Sequence, residues 1–199
     1  MRLTKITAHQ KAKAIEVLAH GFRENKNLLW ITRFRSEKCI QRLCAYCLEV
    51  SLIKKGAFIT EDGFGVILIY QSSRDLSVRQ KILLGFHFCK LILTTVNLIR
   101  LNEIFSFTRE VNQKRPGKNH LYCWMIATDP KRNSLKTVFA LKQFAVQMAK
   151  IKGLPLYLQT SMLRLKRAYE RAGFVAYDKI YNVSGNYHLW FLKREPIQS

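Results

Sequence analysis

Residues 120–138 read HLYCWMIATDPKRNSLKTV, and the predicted fold depends on this stretch. Its first part, HLYCWMIAT, is rich in aromatic and β-branched residues, which is typical of a strand. A helix follows in SLKTVFALKQFAVQMAKIKG, which Asn133 or Ser134 can cap and which Gly153 ends. The chain therefore passes from a strand almost directly into a helix N-terminus.

The junction DPKRNSLKTV lies where many folds bind a phosphate, because a helix N-terminus offers free N–H groups and a partial positive charge. Phosphate loops are usually rich in glycine, which lets the backbone approach the ligand closely. This junction has no glycine and instead has three basic residues, Lys131, Arg132 and Lys136. Lys131 and Arg132 are either phosphate contacts or part of a solvated turn, and both interpretations stay open at this point.

On the C-terminal side of the junction, LPLYLQT predicts a short strand and RLKRAYERAG a helix that ends at Gly173. FVAYDKIYNV and YHLWFLKR predict a final hairpin around the turn SGN. The strand of the junction, its helix and LPLYLQT together form one β-α-β unit.

On the N-terminal side, a T-x-x-Q capping box at Thr7 and Gln10 begins a helix, and a second helical region covers residues 36–54. GAFITEDGFGVILIYQ predicts two strands around an Asp-Gly turn. Residues 77–113 form a long helical section without a clear breaker, which we interpret as two helices. The whole order predicts one α+β domain over residues 1–199.

The charge of the chain is unusual for a globular protein. Its 199 residues include 34 Lys and Arg against 13 Asp and Glu, a net charge of +21. A field of that size favours nucleic acid, anionic lipid, an acidic carrier protein or a phosphorylated cofactor as partner. A basic surface that only serves solubility is the other interpretation, and charge alone does not decide between them.

Five cysteines are spread over the chain, an odd number that does not predict a disulfide framework. Cys44 and Cys47 form a C-x-x-C inside the apolar run CIQRLCAYCLEV, with no second pair of ligands for zinc. We therefore predict core positions for them and no metal site.

The apolar run ILLGFHFCKLILTTVNLI, residues 82–99, has about the lower length of a membrane span. Lys90 lies at its centre, where a charge is costly in a bilayer. The run fits a helix that is buried against the domain or lies on a surface, and we expect a soluble cytoplasmic protein without a membrane span, as monomer or homodimer.

Three segments of the C-terminal half resemble the GCN5-related N-acetyltransferase (GNAT) family. LYCWMIATDPKR resembles its central strand and cofactor loop, and LPLYLQTS resembles its next strand. AYERAGFVAYDK resembles its Tyr-x-x-x-Gly-Phe signature, here Tyr169, Gly173 and Phe174. The resemblance implies a mixed, mostly antiparallel sheet with a splayed central strand and flanking helices, to which residues 77–113 add a helical insertion.

The same resemblance implies acetyl-CoA as cofactor and acyl transfer to a primary amine as reaction. The backbone of Ile126, Ala127 and Thr128 would pair with the pantetheine arm, and a backbone N–H there would stabilise the negative oxygen formed on attack. Tyr169 would protonate the leaving thiolate. The pyrophosphate would lie at the start of the following helix, whose contributing residues are Lys131, Arg132, Asn133, Ser134, Leu135, Lys136 and Thr137.

The sequence departs from the family pattern at several positions. The glycines of the cofactor loop fall on Ser134, Lys136 and Val138, so that Lys136 would bind a phosphate by charge instead of by backbone. Gln159 stands where the family often has an acid, and Leu165 stands where it often has an asparagine. A general base is then sought elsewhere, among three acidic residues or a water chain. The three acids are Glu24, Glu61 and Asp62.

Each candidate also has a purely structural interpretation. Tyr169 can be a core side chain between helix and sheet, and Tyr122 and Trp124 can be strand packing. His120 and His188 have no acid near them in sequence, which favours a core or surface role. The basic segment MLRLKRAYER can contact a ribose phosphate or a nucleic-acid backbone, or be an exposed face.

Three functions remain open from the sequence. The first is an N-acetyltransferase with a small-molecule or protein amine acceptor, which is anionic overall because the field would repel a polyamine. The second is a binding protein of the same fold with a weakened or lost cofactor site. The third is a basic module that binds nucleic acid through phosphates, although no nucleic-acid motif is present.

Overall fold

The computed structural model describes residues 1–34, 36–73, 75–117, 119–132 and 135–196, with the side chain of Lys131 excepted. The helices are α1 (Lys11–Phe22), α2 (Lys26–Ile31), α3 (Glu37–Ile53), α4 (Val78–Thr94), α5 (Leu101–Lys114), α6 (Leu135–Lys152) and α7 (Leu163–Arg171). The strands are β1 (Leu3–Lys5), β2 (Ala57–Thr60), β3 (Gly65–Gln71), β4 (Leu121–Thr128), β5 (Leu156–Thr160), β6 (Val175–Asn182) and β7 (Tyr187–Arg194).

The strands form one twisted sheet in the order β1-β2-β3-β4-β5-β7-β6. β4 and β5 run parallel because α6 connects them as a crossover, and the other neighbouring strands are antiparallel. This is the predicted α+β architecture with its β-α-β unit and C-terminal hairpin, and the prediction of the fold class is confirmed.

Helices cover both faces of the sheet and bury three apolar clusters. α1 and α3 pack on one face, against residues such as Leu68 and Met125. α6 packs on the other face together with Tyr169 of α7, against residues such as Ile67 and Leu156. α2, α4 and α5 contribute to a third cluster with β6 and β7, around Phe191.

The predicted insertion at 77–113 forms two helices, as expected. Ser77 is the N-cap of α4 and its side chain forms a capping box with Gln80. A short 3-10 turn at Leu98–Arg100 lies between α4 and α5. In the part of the chain that the structure describes, no helix is long and apolar enough to cross a membrane.

Two short elements were not predicted from the sequence. β1 has only three residues, and its strand conformation comes from pairing with β2, where Leu3 lies opposite Thr60. α2 has six residues, too few for an apolar period, and is fixed by the Asn25 side chain, which accepts hydrogen bonds from two backbone N–H groups.

Candidate active site

A V-shaped gap opens in the centre of the sheet. β4 and β5 pair only over Leu121–Cys123 and Leu156–Leu158. Beyond that point β4 stays paired with β3 as far as Thr128, while β5 stays paired with β7 as far as Thr160. The two strands therefore separate after Cys123, and the predicted splay of the central strand is present.

A β-bulge at Trp124 marks the place where the strands separate. Leu68 lies opposite Met125 and Ile69 opposite Cys123, so Trp124 is the extra residue of β4. A bulge bends its strand and increases the local twist. The bend directs the second half of β4 away from β5 and opens the gap.

The predicted pantetheine-binding residues line this second half of β4. Ile126, Ala127 and Thr128 lie opposite residues 67, 66 and 65 of β3. On the β5 side, no strand of the described chain pairs with Ile126 or Ala127. Ala127 is buried against α1, where the close approach of Gly21 leaves no room for a side chain. The edge of β4 that faces the gap can therefore accommodate an extended ligand.

The junction between β4 and α6 is a 3-10 turn at Pro130–Arg132. The exposed Arg132 guanidinium lies 4.8 Å from the centre of the Phe64 ring, and the Lys13 ammonium lies 5.5 Å from it. Asp129 is buried and its carboxylate lies 3.5 Å from Lys13 Nζ. Asn133, Ser134 and the side chain of Lys131 lie outside the described structure, so their predicted cofactor contacts stay predictions.

The first turn of α6 divides its residues between solvent and core. Leu135 and Lys136 are exposed. Thr137 is buried instead, and a Cβ on Gly65 of β3 would meet its methyl group at 2.7 Å. The predicted contact of Thr137 with a cofactor could therefore come only from its backbone or hydroxyl.

Lys136 lies at one end of a groove of about 980 Å³ along α6. Four further basic residues line this groove, namely Arg2, Lys142, Arg171 and Arg194. Such a cluster attracts phosphate groups that extend from the helix N-terminus.

Tyr169 packs in the cluster that contains Cys123 and Leu158, the last paired residues before the gap. Its ring lies 5.6 Å from that of Phe174, edge to face. Burial, with a smaller effect of the neighbouring Cys123, raises the pKa of the Tyr169 phenol above its usual value. The phenol is therefore neutral at physiological pH and still carries the proton that a general acid donates.

Two buried acceptor atoms near the end of β5 have no hydrogen-bond partner among the described residues. They are Oε1 of Gln159 and Oγ of Ser161. An unsatisfied buried acceptor costs about 1–3 kcal/mol, so such atoms typically bond to a ligand or water. The sequence marked Gln159 only as a missing acid, and it gave no sign of Ser161, which belongs to no motif.

The structure separates the three acids considered as general base. Asp62 accepts hydrogen bonds from Thr60 Oγ1 and from the Phe64 N–H. These bonds fix the hairpin turn between β2 and β3. Glu61 belongs to the same turn. Glu24 instead lines a cavity of about 810 Å³ that also contains Ser161. Of the three, Glu24 lies on the same cavity as the end of β5.

A pair of basic side chains lies against two buried tyrosines on the α3 face. Lys54 Nζ lies 4.2 Å from the centre of the Tyr70 ring, and the Arg115 guanidinium lies 4.5 Å from that of Tyr122. The two rings touch edge to face at 5.7 Å. Arg115 also donates a hydrogen bond to the Tyr122 hydroxyl, and its Nε is buried without a partner in the described chain. Burial, followed by the charge of Arg115, lowers the pKa of Lys54.

The remaining sequence candidates have structural roles in the core or at the surface. Tyr122 is buried, and Trp124 packs against the cluster under α1 and α3. His120 is buried, with Nδ1 2.9 Å from the Gly117 carbonyl oxygen. His188 is exposed, and its ring lies 5.7 Å from that of Trp190, tilted by 39°. Leu165 is half-buried on α7.

The fold of the chain matches those of solved acetyltransferase structures. No family model and no curated sequence matches the chain. A crystal structure described as histone acetyltransferase HPA2 and related acetyltransferase, from Corynebacterium glutamicum, matches with a TM-score of 0.70 at 16% identity, over 99% of this chain and 97% of that one. A putative acetyltransferase of the GNAT family from Desulfovibrio desulfuricans matches with a TM-score of 0.56 at 14% identity, over 98% of each chain. The chain has the GNAT fold.

A third match is the polyamine N-acetyltransferase of Drosophila melanogaster, with a TM-score of 0.63 at 11% identity, over 98% of this chain and 99% of that one. At such identities the likeness is one of fold. In the GNAT fold of this chain, the gap between β4 and β5 and the start of α6 lie where the sequence resemblance expected the cofactor.

Proposed function

We propose that the protein transfers an acetyl group from acetyl-CoA to a primary amine. The edge of β4 at Met125–Ala127, which no described strand pairs with on the β5 side, is the observation that carries this proposal. A strand edge with free N–H and C=O groups binds an extended chain with amide groups, which the pantetheine arm is. Acetyl-CoA, when bound there, supplies an activated thioester carbonyl.

The residues around the gap have complementary roles in this reaction. A backbone N–H of Trp124–Thr128 stabilises the oxygen that becomes negative when the amine attacks. Gln159 Oε1 and Ser161 Oγ accept hydrogen bonds from the amine and orient it. The Tyr169 hydroxyl donates its proton toward the leaving sulfur, since burial keeps the phenol neutral. Glu24 or water takes the proton that the amine loses.

The phosphates are held by charge in this proposal. Arg132 and Lys136 are exposed at the helix start, and Lys136 opens onto the basic groove along α6. Ionic hydrogen bonds to phosphate stabilise a complex more than neutral ones do, so two cations can offset the missing glycines.

A thermal unfolding experiment with acetyl-CoA tests cofactor binding. A ligand at about 100 times its Kd stabilises the native state by about 2.7 kcal/mol, which corresponds to a rise of several degrees in Tm. We expect that rise, and we expect the double variant Arg132→Gln/Lys136→Gln to weaken binding about ten-fold or more. The control is Lys150→Gln, which removes an exposed charge from the far end of α6. An unchanged Tm at millimolar acetyl-CoA would refute the proposal.

A second candidate function is a binding protein with this fold that does not turn over. The absence of glycine from the junction sequence DPKRNSLKTV favours it, because glycines let the backbone approach a pyrophosphate closely. Release of free thiol from acetyl-CoA in the presence of an amine separates the two functions. A rise in Tm without thiol release supports the binding protein, and a rise in Tm with RNA alone at low salt supports a nucleic-acid module.

The acceptor in this proposal carries an anionic group beside its amine. The net charge of +21 attracts anions, and Lys54 and Arg115 add two cations on the α3 face, beside the paired part of β4 that precedes the gap. Amine pairs that differ only by a carboxylate, such as tyramine and tyrosine, test this. We expect the carboxylate-bearing member to have the higher kcat/KM, and Arg115→Gln to remove that preference. A preference for the amine without the carboxylate would contradict an anionic acceptor.

A further inference from the structure

α4 presents an apolar stripe to solvent, on the side turned away from the domain. Its members follow one another at helical spacing. They are Val78, Ile82, Phe86, Cys89 and Leu93, of which the four large apolar side chains are 64–73% exposed and Cys89 is the one exposed cysteine of five. At about 100° per residue the five positions fall within an arc of roughly 80°.

The opposite side of α4 packs against the domain. Leu91 is its buried residue, and Leu84 and His87 are half-buried. These three positions lie roughly opposite the centre of the apolar stripe on the helical wheel. The domain therefore holds α4 by one side, and within the described chain nothing covers the apolar stripe. Exposed patches of this kind mark interaction surfaces.

Basic residues flank the apolar stripe on both sides. Arg79 and Lys90 follow it on one side of the helix and Lys81 on the other, and all three are exposed. α4 contains no Asp or Glu. Two more exposed apolar side chains, Leu98 and Ile99, lie in the 3-10 turn that begins four residues after the end of α4.

We propose that α4 docks the protein on an anionic membrane surface, with the helix lying flat in the headgroup region. The apolar side chains enter the boundary of the acyl chains, while the flanking cations reach the lipid headgroups with their long side chains. The net charge of +21 adds attraction to anionic lipid over a longer range. A second copy of the chain fits this surface less well, because the positive charge and the basic flanks of the two copies would repel each other.

Binding to lipid vesicles tests this with the full-length chain. We expect co-sedimentation with vesicles of phosphatidylcholine and phosphatidylserine, and about ten-fold weaker binding to phosphatidylcholine alone or at high salt. The double variant Ile82→Ser/Phe86→Ser should lower the affinity at least ten-fold. The matched control is Ile151→Ser, because Ile151 is equally exposed but lies on α6.

A fluorophore on Cys89 tests separately whether α4 itself enters the headgroup region. Cys89 lies on the apolar stripe, whereas the other four cysteines are buried, so an environment-sensitive fluorophore attached to the thiol should react selectively there. We expect a blue shift of its emission on addition of anionic vesicles. Absence of vesicle binding would overturn the proposal, as would equal binding by the Ile82→Ser/Phe86→Ser variant. A concentration-dependent dimer that this variant abolishes would assign the stripe to a second copy instead.

Discussion

Tyr169 is the single residue on which the proposed chemistry depends most. Replacing it by Phe removes the proton donor but keeps the ring that packs on Phe174. We expect Tyr169→Phe to lower kcat on the order of ten-fold or more, with the acetyl-CoA affinity unchanged, because general acid catalysis acts in the transition state. Steady-state kinetics and thermal shift measure the two quantities.

A matched control for this variant is Tyr177→Phe. Tyr177 lies on the edge strand β6, which β7 separates from β5, and its hydroxyl donates to the backbone oxygen of Lys114 on α5. Its loss should leave turnover unchanged. Equal rates for Tyr169→Phe and the parent would remove Tyr169 from the mechanism.

His120 gives a second prediction at this scale. Burial is the main cause that lowers the pKa of His120 in the folded protein, with a smaller effect of Arg115. The unfolded chain takes up a proton on this imidazole below about pH 6.5, and the folded protein resists it. Stability contributed by the neutral ring is therefore lost as the pH falls from about 7.5 to 5.5.

Urea unfolding at both pH values measures this loss. We expect His120→Gln to show a smaller drop in unfolding free energy than the parent. The control is His9→Gln, which removes an exposed imidazole. A drop as large in His120→Gln as in the parent would mean that other groups cause the acid sensitivity.

At the scale of elements, a glycine that ends α7 stabilises the fold, whereas a glycine inside α4 destabilises its helix. Gly173 follows α7 with φ of +85°, and the N–H of Phe174 bonds back to the Tyr169 carbonyl to close the helix. Gly85 lies inside α4, and a Cβ added there would meet no atom within 4 Å. The first needs a conformation that L-residues avoid, and the second only weakens its helix.

Alanine at these two positions should therefore change stability in opposite directions. We expect Gly173→Ala to lower the unfolding free energy by about 1–2 kcal/mol. Gly85→Ala should raise it by about 0.5–1 kcal/mol, because it removes the entropic cost of a helical glycine. Chemical denaturation measures both, and equal signs would contradict this interpretation of the two helices.

At the scale of the whole molecule, the charge of +21 acts on every anionic ligand. Raising the salt from about 0.1 M to 1 M shortens the Debye length from about 10 Å to about 3 Å. We expect KM for acetyl-CoA to rise several-fold over that range, because the proposed phosphate contacts, Arg132 and Lys136, are exposed cations. KM for an uncharged amine acceptor should change little, and a cofactor KM independent of salt would argue against charge-based phosphate binding.

The order of the main helices and strands could be predicted from the sequence, because it depends on local patterns. The Asp-Gly turn at 62–63, the ends at Gly153 and Gly173, and the alternation around 120–194 each reflect backbone preferences of a few residues. β1 and α2 could not be predicted, since pairing with β2 and a single Asn25 cap create them.

The sequence by itself determined the GNAT-like order of elements and the charge, and it marked Tyr169 and the junction before α6. Only the tertiary structure decided that β4 bulges at Trp124 and leaves β5 after Cys123, because register across strands is a long-range property. It also showed that Gln159 Oε1 and Ser161 Oγ have no hydrogen-bond partner among the described residues, and that Ile82, Phe86 and Leu93 of the apolar run face outward on α4. The physical reason is that the burial of a side chain depends on which elements pack against it, and the spacing of residues along the chain does not determine that packing.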